Sequence, residues 1–206
     1  MKPLPQAWQQ QLPRGHSQRF AGGERIVAPG RQSNRVFIVD QGRARICLYG
    51  AAREQTLGYL HPGSVYVTHT PAWVEAQEPT IIRSWAIGQI KALFEPRPDL
   101  AIGALREVGI LLFNSINLIE DLAFRSVEGR LARFLLSEAE SQPAGIIKLP
   151  GTTESLASLL GTSRQTLSSL LTRMERQQLI ARPDRSTLQL LDTDRIRQLT
   201  DSVSAS

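Results

Sequence analysis

Residues 99–124 place Ile102, Leu105, Gly109, Leu112, Ile116, Ile119 and Ala123 at alternating steps of three and four. Such steps keep one narrow stripe on one side of an α-helix, which is the repeat of a coiled coil. Arg106, Asn114, Asn117 and Glu120 stand outside the stripe. A narrow stripe is best covered by a second copy of itself, so the stretch predicts a dimerisation helix in a parallel homodimer, with those seven residues as the dimer interface. Ile110, Leu111, Phe113 and Leu118 widen the apolar surface. That width also suits an ordinary amphipathic helix packed on its own flanking domains.

At 206 residues the chain is long enough for a core on either side of this helix. The expected division is 1–98, 99–125 and 126–206. A hydrophobic share of 41% and a charged share of 21% are ordinary for a soluble globular protein and indicate neither wholesale disorder nor a membrane protein. No apolar run is expected to span a bilayer, and residues 1–14 lack the apolar core of a signal peptide. The single Cys47 excludes an intrachain disulfide framework. A cytoplasmic location follows. The net charge of +5 permits a polyanionic partner, and its placement says more. Arg164, Arg173, Arg176, Arg182 and Arg185 face only Glu175 and Asp184 in one short stretch.

Short strands are predicted at 25–27, 35–39, 44–49, 55–59, 64–68, 73–76 and 80–87. Gly22-Gly23, Pro29-Gly30, Gln41-Gly42, Pro62-Gly63 and Pro79 punctuate them. Strands this short and this regularly spaced suggest a β-barrel or jelly-roll-like sandwich.

The run Arg35-Val36-Phe37-Ile38-Val39-Asp40-Gln41-Gly42, residues 54–60 and Pro62-Gly63 resemble the β-roll of cyclic-nucleotide-binding sensor domains in the CRP/FNR family of bacterial transcription factors. The resemblance implies an α+β chain: an N-terminal β-roll, a long dimerisation helix and a C-terminal winged helix-turn-helix. Cyclic-AMP-binding members hold the ribose with a Gly-Glu pair and the phosphate with an Arg-Ser pair. This chain carries neither pair, and Thr70 and Pro71 stand where Arg and Ser would be. A buried phosphate needs a cation and donors, so cyclic nucleotide is not the expected effector. An iron–sulfur cluster needs several thiolates and is not expected from one cysteine.

The segment Tyr66-Val67-Thr68-His69-Thr70 resembles the haem-binding stretch of the family's carbon-monoxide sensors, and the likeness extends through Val74-Glu75-Ala76 and resumes at Ile119-Glu120-Asp121-Leu122-Ala123-Phe124. It implies haem b with His69 on the iron, a role that suits a neutral imidazole in an apolar roll. Val67 stands where those sensors carry a ligating cysteine. Pro3, behind Met1-Lys2, is not the terminal proline they use. The second axial position is left open among Met1, Lys2, His16, His61 and none. The bland reading of His69 is a surface or satisfied structural residue. His61 reads as a turn residue, and Trp8, Arg14, His16 and Arg19 read as a basic N-terminal arm.

Beyond the long helix, residues 126–140 repeat an apolar face at Val127, Leu131, Phe134 and Leu135 and end at Gln142-Pro143-Ala144-Gly145. A strand is predicted at 146–149. Helices follow at 154–160 and 164–177, joined by Gly161-Thr162-Ser163, with Leu156, Leu159, Leu160, Leu167, Leu170, Leu171 and Met174 inward. This is a helix-turn-helix, whose second helix enters the major groove. Gly161-Thr162-Ser163-Arg164-Gln165-Thr166, Leu170-Leu171 and Gln178-Leu179-Ile180 resemble the CRP/FNR reading helix and its continuation. Arg164 suits guanine O6 and N7, against a solvated first-turn residue. Gln165 either completes a capping box with Thr162 as N-cap or pairs with adenine. Ser163, Thr166, Ser168 and Ser169 are short hydroxyls for phosphate or base edges. Arginine is common in the family where Ser169 stands. Arg173 and Arg176 suit phosphates or a solvated face. Residues 180–191 form a wing around Pro183-Asp184, with Arg182 and Arg185 near the DNA backbone, and a last helix is predicted at 194–203.

The resulting expectation is a cytoplasmic, homodimeric regulator that binds double-stranded DNA and is not an enzyme. Its trigger is a diatomic gas of the carbon-monoxide kind at haem, and RNA polymerase is a further partner if it activates. Alternatives are a non-haem effector or none, and a haem-carrying protein without a DNA function. A cupin-like metal enzyme would need two or three clustered ligands, where only His69 is in place.

Overall fold

The computed structural model describes residues 12, 14–30, 34–51, 54–95, 98–142, 146–149, 151–184 and 186–200. Their contacts form two compact units, Met1–Leu48 with Leu57–Ile116, and Tyr49–Thr56 with Asn117–Ser206. Met1, Lys2, Pro3, Trp8 and Arg185, singled out above, lie outside the described residues, as does the expected helix stop at 143–145.

The first unit holds β1 (His16–Phe20), β2 (Arg25–Val27), β3 (Arg35–Gln41), β4 (Ala44–Tyr49), β5 (Glu54–Leu60), β6 (Val65–Val67), β7 (Trp73–Ala76) and β8 (Thr80–Ala86), with β4 and β5 running on into the second unit. They form two four-stranded sheets ordered β1-β8-β3-β6 and β2-β7-β4-β5. Side chains alternate across a strand, and β3 uses both faces. Phe37 and Val39 join Ala44, Ile46, Tyr66, Val74 and Ile82 in the core of the roll. Ile38 points the other way, into a cluster with Val65 and Trp85 against which Val36, Ile90, Phe94 and Ala104 pack. A strand buried on both faces reads as a near-continuous apolar run, which is what Val36-Phe37-Ile38-Val39 is.

Residues 16–20 are not a loose arm. They pair antiparallel with β8, from His16 opposite Ser84 to Phe20 opposite Thr80. The strand escaped the sequence because only Phe20 is even half-buried, so backbone pairing rather than an apolar alternation holds it. A short helix, α1 (Ile90–Phe94), was also unforeseen, and a 3-10 turn, Ile87–Gln89, stops β8 one residue before its expected end.

The long helix, α2, runs from Pro98 to Phe124. Leu111 and Ala104 pack on the two clusters of the first unit. Ile102, Leu105, Leu112, Ile116 and Ile119 are 55–72% exposed, and Gly109 and Ala123 are exposed beside them. The helix corrects the expectation that no apolar run is long enough to span a bilayer. By length and composition alone, Ala101–Phe124 reaches membrane-spanning proportions, with a mean hydropathy of 1.4.

In the second unit, α3 (Val127–Ser141) starts on Ser126, whose hydroxyl accepts from Gly129 N at 3.1 Å. Arg130, 8% exposed, donates Nε to Leu160 O at 2.8 Å and Nη1 to Arg125 O at 2.8 Å. Asp121 accepts from Arg125 and Arg133, each at 2.8 Å. These bonds tie the end of α2 to α3 and to the helix that follows. β9 (Ile146–Lys148), α4 (Thr153–Leu159), α5 (Arg164–Arg176), β10 (Ile180–Ala181), β11 (Thr187–Leu190) and α6 (Thr193–Leu199) complete the unit. The sheet order β10-β11-β9 forms the wing, and Leu131, Leu135, Ile147, Leu156, Leu167, Leu171, Met174, Leu188 and Ile196 fill the core.

Candidate nucleic-acid interface and effector site

Gly161, at φ 64°, ends α4 in the left-handed conformation. Thr162 N donates back to Ala157 O at 3.0 Å, and Gly161 N to Ser158 O at 3.4 Å. Thr162 is therefore spent on closing α4, and the N-cap of α5 moves one residue on. Ser163 Oγ accepts from Thr166 N at 3.1 Å and shares a 2.9 Å bond with the Thr166 hydroxyl. This corrects the capping box expected between Thr162 and Gln165. Gln165 has no part in the cap, and its exposed amide is left for a partner.

Four apolar residues, Leu167, Leu170, Leu171 and Met174, bury one side of α5. Ser163, Arg164, Gln165, Thr166, Ser168 and Ser169 are all exposed on the others. An open groove of about 750 Å³ brings Gln165, Thr166, Ser169 and Arg173 together and adds Arg176 and Gln177. Arg164 and Ser168 do not line it. Gln177 was missed, although it lies four residues from Arg173 on the same helical stripe. Arg173 Nη2 already meets Glu128 at 2.7 Å, so a phosphate there must compete with a carboxylate. Amides at the start of α5, its dipole and Arg164 favour an anion at this end.

On the wing, Arg182 is half-buried beyond β10. Asp184 Oδ1 accepts from Ser186 N at 2.7 Å and from Ser186 Oγ at 2.8 Å. The Ser186 amide and hydroxyl, with help from Thr187, hold the Asp184 carboxyl below its ordinary range. The turn is thereby fixed as an Asx-turn.

His69 is exposed between β6 and β7. Its neighbours are anchored. Thr68 Oγ1 accepts from Arg35 N at 3.1 Å, and the Tyr66 and Thr70 hydroxyls share a short hydrogen bond. Burial, opposed by that bond, raises the Tyr66 pKa. One accessible imidazole on an anchored segment could serve as a ligand to a haem iron, although it stands exposed rather than in the apolar interior expected for it. Among the described residues no cluster of three His, Cys, Asp or Glu side chains exists. Cys47 is buried, and His16 is exposed on β1. Partial burial, then the Arg43 cation, lowers the pKa of His61 in its turn, against an opposing pull from Glu78.

Residues 129–199 match the sequence profile of the Crp-like helix-turn-helix domain. The cAMP-activated global transcriptional regulator CRP of Pasteurella multocida is 24% identical over 181 residues, covering 81% of this chain and 86% of that one. A CooA mutant from Carboxydothermus hydrogenoformans superposes with a TM-score of 0.83 at 28% identity, over 97% of this chain and 92% of that chain. The imidazole-bound form of the CO-dependent transcription factor CooA from the same organism is 31% identical, over 91% of this chain and 88% of that chain, with a TM-score of 0.54. A roll of two four-stranded sheets, a long helix and a winged helix-turn-helix in this order, shared along nearly the whole chain with that relative, place the protein in the CRP/FNR family of DNA-binding transcription regulators.

Proposed function

We propose that the chain reads double-stranded DNA as a parallel homodimer under the control of a gas bound at haem. The observation that carries the DNA reading is the start of α5. Ser163 caps the helix, which leaves Arg164 and Gln165 exposed where a major groove would be met. Arg164 suits guanine and Gln165 adenine, while Ser163, Thr166, Ser168, Ser169, Arg173, Arg182 and Arg185 suit the flanking phosphates and base edges. The exposed stripe on α2, from Ile102 to Ala123, is assigned to a second copy. A lipid partner is disfavoured, because Arg106 and Glu107 fall inside the apolar span and Glu120 and Asp121 close to its end, and an ionised side chain costs up to about 2.5–3.5 kcal/mol as it nears the centre of a bilayer. This reading places the chain in the cytoplasm and, if it activates, in contact with RNA polymerase.

The effector assignment rests on His69 and on the likeness to a relative whose name states CO dependence. Haem, when bound, supplies an iron that accepts a diatomic ligand. His69 would hold it from the β6–β7 segment, with Thr68 and Thr70 fixing that segment to β3 and Tyr66. Thr70-Pro71 offers no cation to a cyclic phosphate. A second reading, an apolar small-molecule effector, is favoured by a cavity of about 230 Å³ lined by Val36, Ile38, Val65, Trp85, Phe94 and Leu105.

The test is the visible spectrum of protein from haem-sufficient cells, before and after dithionite and carbon monoxide. A Soret band that shifts with carbon monoxide and is lost in His69→Ala is expected; absence of the band moves the assignment to the cavity. For DNA, wild-type protein is offered a randomised duplex pool. Recovery of one sequence, and its loss in Arg164→Ala, are expected.

A further inference from the structure

We infer that Gln55 and Thr56, at the beginning of β5, are positioning residues for DNA reading, which hold the turn of the helix-turn-helix from outside it. The inference rests on the DNA reading proposed above and adds two residues to it that lie about a hundred positions from the reading helix. Both belong to the second unit, which includes Tyr49–Thr56.

The carbonyls that end α4 show what the two residues do. A helix leaves its last carbonyls without partners inside the helix. Ser158 O accepts from the Gln55 Nε2 amide at 3.0 Å, and Leu159 O from the same amide at 3.3 Å. Leu160 O is taken by Arg130 at 2.8 Å. The side chain of Gln55 is itself steadied by a 2.8 Å bond to Thr56 O. Beside it the Thr56 and Ser158 hydroxyls share a 2.9 Å bond, with the residues 0% and 3% exposed. Water cannot replace either partner there, so removing one hydroxyl orphans the other.

Gly161 shows how close the fit is. A Cβ at that position would stand 2.6 Å from Gln55 Oε1 and 2.5 Å from Leu122 Cδ2. The amide of Gln55 thus lies against the turn at the one residue without a side chain. Two residues further on, Ser163 caps α5, and Arg164 and Gln165 follow at once. A displacement of the turn therefore reaches the base-reading atoms with almost no chain in between to absorb it. While these bonds are made, Ser163, Arg164, Gln165 and Thr166 all stay exposed. The contact holds the reading end open rather than covering it.

The test compares full-length wild type with Thr56→Val, Gln55→Leu, Thr56→Ser and the double variant Thr56→Val with Ser158→Ala. The probes are the duplex that wild type recovers from a randomised pool and a scrambled duplex of the same length. Amide exchange at 161–166 is followed in the same proteins. Thr56→Val and Gln55→Leu should lower the affinity ratio between the two duplexes roughly tenfold and speed exchange at the turn, with scrambled-duplex affinity unchanged. Thr56→Ser keeps the hydroxyl and should behave as wild type. The double variant removes both partners, and should recover most of the ratio lost by Thr56→Val. An unchanged ratio overturns the inference: with faster exchange the contact is only structural, and with unchanged exchange it does not hold the turn. If wild type recovers no duplex, the DNA reading itself has failed, and the role assigned to these residues falls with it.

Discussion

Gly161 and Gln178 occupy the same place in the same motif and differ in what surrounds them. Each is the left-handed residue that closes a helix, at φ 64° and φ 57°. After Gln178, Leu179 N returns to Met174 O at 3.0 Å and Gln178 N to Glu175 O at 2.9 Å, and buried Leu179 and Met174 accompany the closure. A left-handed conformation costs a residue with a Cβ roughly 1–2 kcal/mol. Gln178 is exposed, so Gln178→Gly should raise stability by about 0.5–1 kcal/mol in urea unfolding, the gain being trimmed by glycine's greater entropy loss. Gly161→Ala should lose more than that conformational term, because its Cβ also displaces Gln55. A second prediction at this scale concerns Glu107, whose pKa burial raises against the opposing pull of Arg106. A carboxyl raised on folding favours the folded state below its ordinary value of 4.5, and that contribution is lost as pH climbs through the raised value. Glu107→Gln should therefore be more stable than wild type at neutral pH and indistinguishable from it well below 4.5. A gain that persists into acid would mean the carboxylate charge is not the cause.

The long helix is the element on which the dimer assignment stands. Its sequence period sets one stripe apart, and that stripe is left bare while Leu111 and Ala104 on another face are packed. Gly109 lies on the stripe with nothing within 4 Å of where its Cβ would be. Inside a helix a glycine is destabilising by about 1 kcal/mol relative to alanine. On a seam it permits two backbones to approach and shift. Gly109→Leu should tighten dimerisation in sedimentation experiments and make DNA binding independent of effector. Tighter dimers with an unaltered effector response would leave the seam as adhesive only. Leu112→Cys is a simpler check on direction: oxidation should yield a covalent dimer if the helices run parallel and in register, since the two Leu112 positions then face each other.

Across the molecule, the +5 charge is less informative than its concentration around the reading helix and wing. Arg176, on the groove of α5, is the plainest phosphate candidate there. Arg176→Ala should weaken binding to every duplex alike and reduce the slope of log affinity against log salt by about one. A loss confined to one sequence would instead make Arg176 a base reader. The sequence alone determined the order of roll, long helix and winged helix-turn-helix, the apolar stripe along α2, and the inner and outer faces of α5. Those features repeat at the period of a helix or strand, so residues close in the chain carry the signal. It did not reveal β1, because an edge strand with mostly exposed side chains has no apolar alternation to read. It misplaced the cap of α5, because whether Thr162 or Ser163 starts that helix depends on how α4 ends. Nor could any local pattern join Gln55 and Thr56 to Ser158 and Gly161. That contact exists only once residues 55–56 and helix α4 are side by side within the second unit, and hydrogen bonds between distant segments leave no period in the chain. Tertiary structure alone decided which side chains hold the reading turn in place.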